Sequence, residues 1–384
     1  MVDFALSTRE AEWRAHARGF VRDHVLMRAD LDVHGGFPRD LYERAFDAGF
    51  VTAMIPEALG GGGRTPFELV LSAEELGYGD LGVATSTFLL TLATGGLIHF
   101  GTPEQHERWI RPLTSELRFA SYAWTEPDGS ANLLGQPAKT TARPAPGGFR
   151  IDGVKTTISN ANVASFFFVF ARLEPGEAGL TCFVVPRSAP GVETSAPFRK
   201  MGQRAGDTGE VVFRDVFVPA EDQVGRPGEG VVIGMRALRQ SRVGIAAMAV
   251  GVARRARDLV IRYGHGRTAG DGKKLIEQQD YRFHLAEMEA DIEMVRALTW
   301  RACHALGGPE ATKLSSCAKL VGANMAVRVT NQAVEMLGGL GYLEAGIAEK
   351  LLRDAKLLQI YEGPQAVQKM MIADTVTRLS WVGH

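Results

Sequence analysis

The chain has 384 residues, of which 45% are hydrophobic and 23% are charged, and its formal net charge is -1. This composition supports a sizeable core in two or three domains and excludes a disordered tail or a strongly basic nucleic-acid-binding protein. No apolar run reaches the roughly 18 residues that span a bilayer, so no membrane segment is expected. The N-terminus shows no secretory signal pattern and the three cysteines have no CxxC spacing, so a cytoplasmic protein without disulfides is expected.

Residues 1-118 predict an N-terminal helical domain. Ser7 and Glu10 have the spacing of a capping box, which predicts that a helix begins there. Pro38 is placed to open a second helix. Two further helices are predicted over 66-76 and 83-100. Their simplest role is core packing.

Residues 119-228 predict a middle β-domain of about six to eight strands. Short runs of β-branched and aromatic residues alternate here with Gly, Pro, Asn and Asp, which is the pattern of strands joined by turns. The strand candidates are Phe149-Gly153, Phe166-Phe170, Thr181-Val185 and Glu210-Phe213.

Residues 229-384 predict a C-terminal four-helix bundle domain. Apolar residues recur at spacings of three and four, which places them on one face of a long helix. They are Tyr281, Leu285, Met288, Ile292, Val295, Thr299 and Ala302. A further helix is predicted over 312-337. Helices, then a β-barrel or sandwich, then helices predict an α+β fold, because a doubly wound fold would alternate the two.

Familiar cofactor and metal motifs are missing from the sequence. No G-x-G-x-x-G follows a predicted strand, no P-loop or H-E-x-x-H occurs, and the nine histidines are scattered. We therefore predict no metal site. Any cofactor must be held by something other than the familiar phosphate loops.

Five short motifs are spread along the chain. They are Gly101-Gln105, Tyr122-Pro127, Met201-Arg204, Leu337-Tyr342, and Arg353-Lys356 running into Ile360-Gly363. In content, order and approximate spacing they resemble the acyl-CoA dehydrogenase family of flavoproteins, and the resemblance covers essentially the whole chain. It implies removal of two hydrogens from Cα and Cβ of an acyl thioester, which leaves a trans-2-enoyl thioester and reduced FAD.

Glu362 is the candidate catalytic base. It follows apolar residues and precedes Gly363-Pro364, which must bend the chain, and burial there would raise the pKa of a carboxylate. A lone glutamate in this place would otherwise simply close a helix end. Some relatives carry the base on a mid-chain helix, but the corresponding stretch 239-242 has no carboxylate. In the family, the thioester carbonyl bonds the backbone N–H of the base residue and a ribityl hydroxyl of FAD.

The resemblance also implies a set of FAD contacts. Thr125 would bond the isoalloxazine edge, and Ser159 would reach the ring through its hydroxyl. Arg267 would reach the FAD pyrophosphate of a neighbouring subunit, which suits a fixed cation. The other cofactor residues implied are Tyr122, Ser130, Thr157, Gln279, Glu335, Gly338 and Gly339. Ordinary turns and solvated surface are the alternative interpretation of these residue types.

Substrate contacts are implied at Ser130, Arg242, Gly363 and Phe88. A phenylalanine in the 83-100 helix would shorten an apolar pocket and favour small or branched acyl groups, although core packing also explains it. The acyl carrier is either coenzyme A or the phosphopantetheine arm of an acyl carrier protein. Electron-transfer flavoprotein or another acceptor is the expected redox partner. A homotetramer or homodimer is expected, because the FAD site uses a neighbour's residues.

Two other functions remain open at this stage. One is a flavin-dependent monooxygenase or oxidase of the same superfamily, which would react with oxygen. Glu362 argues against it, since oxygenating members usually lack that base. The other is a non-catalytic subunit with a degenerate cofactor site, in which Glu335 stands where the family commonly has glutamine.

Overall fold

The structure, a computed structural model, describes residues 5-128, 138-174 and 179-379. Helices extend to Ser115, strands follow from Phe119 to Val224, and helices return at Gly230. This order of helical, β and helical parts confirms the α+β fold predicted from the sequence.

Most of the N-terminal helices begin at a residue whose side chain caps the first turn. They are α1 (Thr8–Phe20), α2 (Arg39–Asp47), α3 (Pro66–Gly79), α4 (Leu81–Phe100), α5 (Pro103–Gln105) and α6 (Pro112–Ser115). The predicted capping box is present, because the Ser7 side chain accepts from the Glu10 backbone N–H and the Glu10 carboxylate accepts from the Ser7 N–H. Thr65 and Glu68 repeat the same arrangement at the start of α3. Each box satisfies N–H groups that a helix start would otherwise leave unbonded.

Helix α4 corrects one expectation from the sequence. It has 20 residues and is long and apolar enough to cross a membrane, whereas no such stretch was expected. Most of its apolar window is buried inside the protein. A Cβ added at Gly96, for example, would lie 2.8 Å from Ile233 and from Phe168. Burial against the sheet and the C-terminal helices accounts for the apolar composition of α4.

The middle part forms one mixed sheet. Its strands are β1 (Phe119–Ala123), β2 (Thr141–Ala145), β3 (Gly148–Ser159), β4 (Ala164–Leu173), β5 (Leu180–Pro186), β6 (Val192–Thr194), β7 (Thr208–Pro219) and β8 (Gln223–Val224). Their order is β6-β7-β3-β2-β4-β5-β8, and β1 pairs with β4. The β1–β4 and β2–β4 pairs are parallel and the others antiparallel.

The sheet separates two hydrophobic cores. Phe166 and Phe168 of β4 belong to the large core shared with the helices, whereas Phe167 and Val169 belong to a second core. The alternation follows from the two-residue period of a strand. The rings of Phe167 and Phe213 lie 6.1 Å apart although β4 and β7 are not neighbours in the sheet, so the sheet curls over this second core.

The C-terminal helices form the third part. They are α7 (Gly230–Gly266), α8 (Gln279–His304), α9 (Ala311–Leu337), α10 (Gly339–Tyr342), α11 (Ala348–Leu357) and α12 (Gln365–Leu379). The face predicted for α8 is buried, apart from Leu285, which is half-buried against the same core. Helix α7 packs against α3, α4, α8 and α9, so it runs through the middle of the helical core.

Candidate active site

Glu362 lies in the turn that joins α11 to α12. Its φ is 57° and that of Gly363 is 93°, so two successive residues are left-handed. A Cβ at Gly363 would lie 2.6 Å from the Gln368 Nε2 atom, which leaves glycine as the residue that fits. The bend expected from Gly363-Pro364 is therefore present, and it turns the chain back on itself at Glu362.

The Glu362 side chain is half-buried among polar groups from two helices. Ser241 of α7 donates its hydroxyl to Oε2 of Glu362. Burial raises the pKa of Glu362 above its ordinary value, while the Ser241 hydroxyl, Arg242 and Lys319 oppose that rise. A carboxyl held in this balance is suited to accept a proton near neutral pH.

In this turn the backbone carbonyls of Glu362 and Gly363 accept hydrogen bonds, whereas the backbone N–H of Glu362 donates to no described residue. The carbonyl of Glu362 accepts from Gln368 Nε2 at 3.0 Å and from Arg242 Nε at 3.4 Å. The carbonyl of Gly363 accepts from Lys319 Nζ at 2.8 Å. Among the described residues, nothing accepts a hydrogen bond from the Glu362 backbone N–H. That N–H is available to a ligand beside the carboxylate.

A second set of contacts fixes Tyr361, the residue before Glu362. The Thr85 hydroxyl of α4 lies 3.3 Å from the Tyr361 hydroxyl and donates to Gln203 Oε1 at 3.0 Å. Gln203 in turn donates through its backbone N–H to the Asp354 carboxylate and through Nε2 to the Asp354 carbonyl. Two of the motifs found in the sequence, Met201-Arg204 and the one that runs from Arg353 to Gly363, therefore meet beside the candidate base.

Two segments carry residues predicted to contact the flavin, and they lie side by side: 125-126, which follows β1, and 156-159, the end of β3. The Thr156 backbone N–H donates to the Thr125 carbonyl at 2.9 Å, and the Ser121 hydroxyl donates to the Ser159 carbonyl, also at 2.9 Å. Thr157 is exposed and has a φ of 53°. The structure thus brings these two segments together at one end of the sheet. Ser130, predicted nearby, lies outside the described residues.

Tyr122 of β1 lies between the sheet and α7. Its hydroxyl is buried and has no hydrogen-bond partner among the residues that the structure describes. A Cβ at Gly234 of α7 would come within 2.7 Å of that hydroxyl oxygen. Burial raises the pKa of Tyr122, with smaller contributions from Cys182 and Glu362. An unpartnered buried hydroxyl in this place fits a site that awaits a polar ligand atom.

Arg267 lines a cavity of about 420 Å³ on the C-terminal helices. Leu337 and Leu340, which flank the predicted glycine pair, line the same cavity. Gly338 has a φ of 59°, and a Cβ at Gly338 or Gly339 would meet nothing within 4 Å. A fixed cation, apolar walls and an open backbone fit a nucleotide diphosphate.

The structure leaves three other predicted positions without a tested role. Gln279 is the first residue of α8 and is exposed. Glu335 is exposed and accepts from the Asn331 side chain at 2.8 Å, so its carboxylate is bonded within α9. Phe88 is buried on α4, one turn after Thr85. The roles of all three stay predictions.

Ser241, Lys319 and Asp354 were given no role in the sequence analysis. Ser241 lies in the 239-242 stretch, which has no carboxylate, and Asp354 lies within the Arg353-Lys356 motif, whose pattern does not show what its carboxylate bonds. Lys319 had a usable signal, since it is a single lysine on a helix face of small and apolar residues. A cation in such a place must find a partner, because burying an unpaired charge is costly.

Sequence models of one family match three successive parts of the chain. They are described as the acyl-CoA dehydrogenase N-terminal domain over residues 7-116, the middle domain over 121-216 and the C-terminal domain over 228-377. The chain belongs to the acyl-CoA dehydrogenase family.

Relatives of known description agree with this assignment. The mitochondrial short-chain specific acyl-CoA dehydrogenase of Rattus norvegicus is 33% identical over 93% of this chain and 87% of its own length. The structure of butyryl-CoA dehydrogenase from Megasphaera elsdenii is 32% identical, with a TM-score of 0.93 over 98% of this chain and 100% of that one. The prolyl acyl carrier protein oxidase AnaB is 27% identical, with a TM-score of 0.90 over 97% and 100% of the two chains.

The family assignment confirms several predictions made from the sequence. The chain is an oxidoreductase of the acyl-CoA dehydrogenase family, and it dehydrogenates acyl thioesters with FAD as cofactor. The individual site residues, the oligomeric state and the localisation stay predictions.

Proposed function

We propose that this acyl-CoA dehydrogenase oxidises short acyl-CoA esters, with Glu362 as the catalytic base. The observation that carries the proposal is the pairing, on one residue, of a half-buried carboxylate whose pKa is raised with a backbone N–H that no described residue accepts from. The carboxylate accepts the Cα proton while the N–H stabilises the negative charge that develops on the thioester oxygen. FAD, when bound, accepts the hydride from Cβ.

The residues that would hold FAD fall into two groups. Thr125, which follows β1, and Thr157 and Ser159, at the end of β3, would face the isoalloxazine ring. Arg267 and Gly338 lie at the cavity of the C-terminal helices and would face the diphosphate. The residues lining that cavity include neither Thr125, Thr157 and Ser159 nor the Glu362 turn. The two groups therefore do not share one cavity, which supports a cofactor held between two copies in a homodimer or homotetramer.

The length of the acyl group is limited by Phe88. Thr85 of α4 contacts Tyr361 beside the base, and Phe88 lies three residues later on the same face of that helix. One helical turn advances about 5.4 Å, so the Phe88 ring would meet an acyl chain a few carbons beyond Cα. The short-chain relatives support the same conclusion.

An anaerobic titration tests this function. We expect purified protein to carry FAD and its visible absorbance to bleach with butyryl-CoA, at a rate at least about tenfold higher than with octanoyl-CoA. Phe88→Ala should reverse part of that preference by raising the rate with octanoyl-CoA. A protein that binds no FAD, or that is reduced faster by octanoyl-CoA than by butyryl-CoA, would contradict the proposal.

The acyl carrier and the electron acceptor are tested in the same assay. We expect butyryl-CoA to be preferred over butyryl groups on an acyl carrier protein, and electron-transfer flavoprotein to reoxidise the enzyme. In air, the product should be the enoyl thioester without hydroxylation, whereas a hydroxylated product would identify a monooxygenase. Cytoplasmic localisation is proposed on the cysteine pattern alone.

The hydrogen bond from Ser241 to Glu362 should affect how the reaction rate depends on pH. The base must be ionised to act, so the rate should rise with pH through the raised pKa of Glu362. Ser241→Ala removes a hydrogen bond that lowers that pKa, so the acidic limb of the kcat profile should move to higher pH. Ser241→Thr keeps the hydroxyl and should leave the limb in place. An acidic limb that does not move in Ser241→Ala would show that this bond does not set the ionisation of the base.

A further inference from the structure

Lys319 is a fully buried lysine that the reaction itself does not use. It lies on α9 and has a relative exposure of 0%. Its ammonium donates to the Gly363 carbonyl at 2.8 Å, across a sequence separation of 44 residues. A buried lysine without a carboxylate partner of its own is costly, so its persistence here points to a use.

The turn that carries Glu362 is held from several sides. On α9, Asn324 Oδ1 accepts from Gln359 Nε2 at 2.8 Å and from Gln365 Nε2 at 2.6 Å, so both flanks of the turn are fixed to one residue. Lys319, also on α9, bonds the carbonyl of Gly363, which lies between these flanks in the sequence. On α12, Gln368 bonds the same carbonyl at 2.9 Å.

These bonds hold the turn in a conformation with a left-handed φ at both Glu362 and Gly363. A left-handed φ at a residue with a side chain is unfavourable by about 1 kcal/mol or more unless the surroundings impose it. The carbonyls of Glu362 and Gly363 accept hydrogen bonds from side chains of α7, α9 and α12. Within the described part of the chain, nothing accepts from the N–H of Glu362.

The charge of Lys319 also acts on the carboxylate. The charged groups that affect Lys319 are Glu362, from the turn, and Arg242, from α7. Burial lowers the pKa of Lys319 to about 8, so it is cationic at neutral pH. Lys319 and Arg242 both lower the pKa of Glu362 and so oppose the effect of its burial.

We propose that Lys319 is a positioning residue for the base: it holds the Gly363 carbonyl so that the Glu362 N–H faces the thioester, and its charge keeps the Glu362 carboxylate ionised. This inference rests on the proposed role of Glu362. It assigns to α9 a part in catalysis without contact between Lys319 and the substrate.

The test compares Lys319→Met with Lys313→Met, a matched change on the same helix at a half-buried lysine that pairs with Glu310. Lys319→Met should lower kcat with butyryl-CoA by about 10- to 100-fold and change KM by less than about threefold. Its acidic limb should move up by about one pH unit, because a nearby positive charge is lost. Lys313→Met should change neither quantity.

A second readout does not depend on turnover. Infrared difference spectra of bound 2-butenoyl-CoA should show the thioester C=O band shifted by its hydrogen bond, and Lys319→Met should move that band toward its position in free solution. If Lys319→Met does not fold, Lys319→Gln, which keeps a donor but no charge, decides the question. It should show the same change in the acidic limb.

The inference is overturned if the folded variant keeps both the wild-type acidic limb and the wild-type C=O band, whatever its kcat. Such a result would assign Lys319 to packing alone. It would leave the proposed function intact as long as Glu362→Gln is inactive. An active Glu362→Gln would instead remove the proposed function, and this inference with it.

Discussion

Replacing Glu362 with glutamine should lower kcat with butyryl-CoA by about 10²- to 10⁴-fold, the usual loss when a general base is removed. Glutamine has nearly the same shape and can still accept from the Ser241 hydroxyl, so the turn should keep its conformation. Its amide cannot accept the Cα proton. The measurement is the rate of anaerobic FAD bleaching under single-turnover conditions.

The Glu362→Gln variant also carries its own control. The backbone N–H of residue 362 is still present, so the affinity for 2-butenoyl-CoA should stay within a few-fold of the wild-type value. The visible FAD spectrum should also be retained. A variant that keeps more than a tenth of the wild-type rate would show that another group takes the proton.

Replacing Asp354 with alanine should lower the free energy of unfolding by about 1–3 kcal/mol, because it leaves the buried Gln203 backbone N–H without its acceptor. Lys350 lies between two buried carboxylates, at 2.6 Å from Asp80 and 2.5 Å from Asp354. Asp354 also accepts from the Gln203 backbone N–H, which the alanine would leave without that partner. Urea denaturation monitored by circular dichroism would measure the loss.

One further variant separates the charge of Asp354 from its role as a hydrogen-bond acceptor, and a second, at Asp374, is the control. Asp354→Asn keeps an acceptor for the Gln203 N–H but removes the charge, so it should lose less stability than Asp354→Ala. Asp374→Ala changes an exposed aspartate of α12 and should alter the unfolding free energy by less than about 0.5 kcal/mol. Equal stability of Asp354→Ala and Asp374→Ala would contradict the importance of the buried network.

Features that depend on neighbours in sequence were predictable. The capping box at Ser7, the buried face of α8 and the four strand candidates all appear where local patterns placed them. The position of Glu362 in a bend also followed from the residues after it. In each case the decisive interaction spans a few residues, so its pattern can be read directly from the sequence.

Contacts between distant residues could not be predicted in this way. Ser241 and Glu362 are 121 residues apart, and Gln203 and Asp354 are 151 residues apart. No local spacing relates such pairs, since the packing of α7, α9 and the sheet brings them together. The expectation that no stretch could span a membrane failed for a different reason: residues 81-100 carry no Asp, Glu, Lys or Arg, so the apolar length of α4 is a local pattern that the sequence does show.

The anchoring of the Glu362 turn has a consequence for biosynthesis. Gln368 of α12 follows the base in sequence and bonds the carbonyls of both Glu362 and Gly363. A ribosome-bound chain therefore cannot complete the hydrogen bonds to the Glu362 turn until residue 368 has been translated and has left the exit tunnel. The earlier helices and the sheet alone would lack these bonds, so the turn is anchored on this side only once α12 has packed against it.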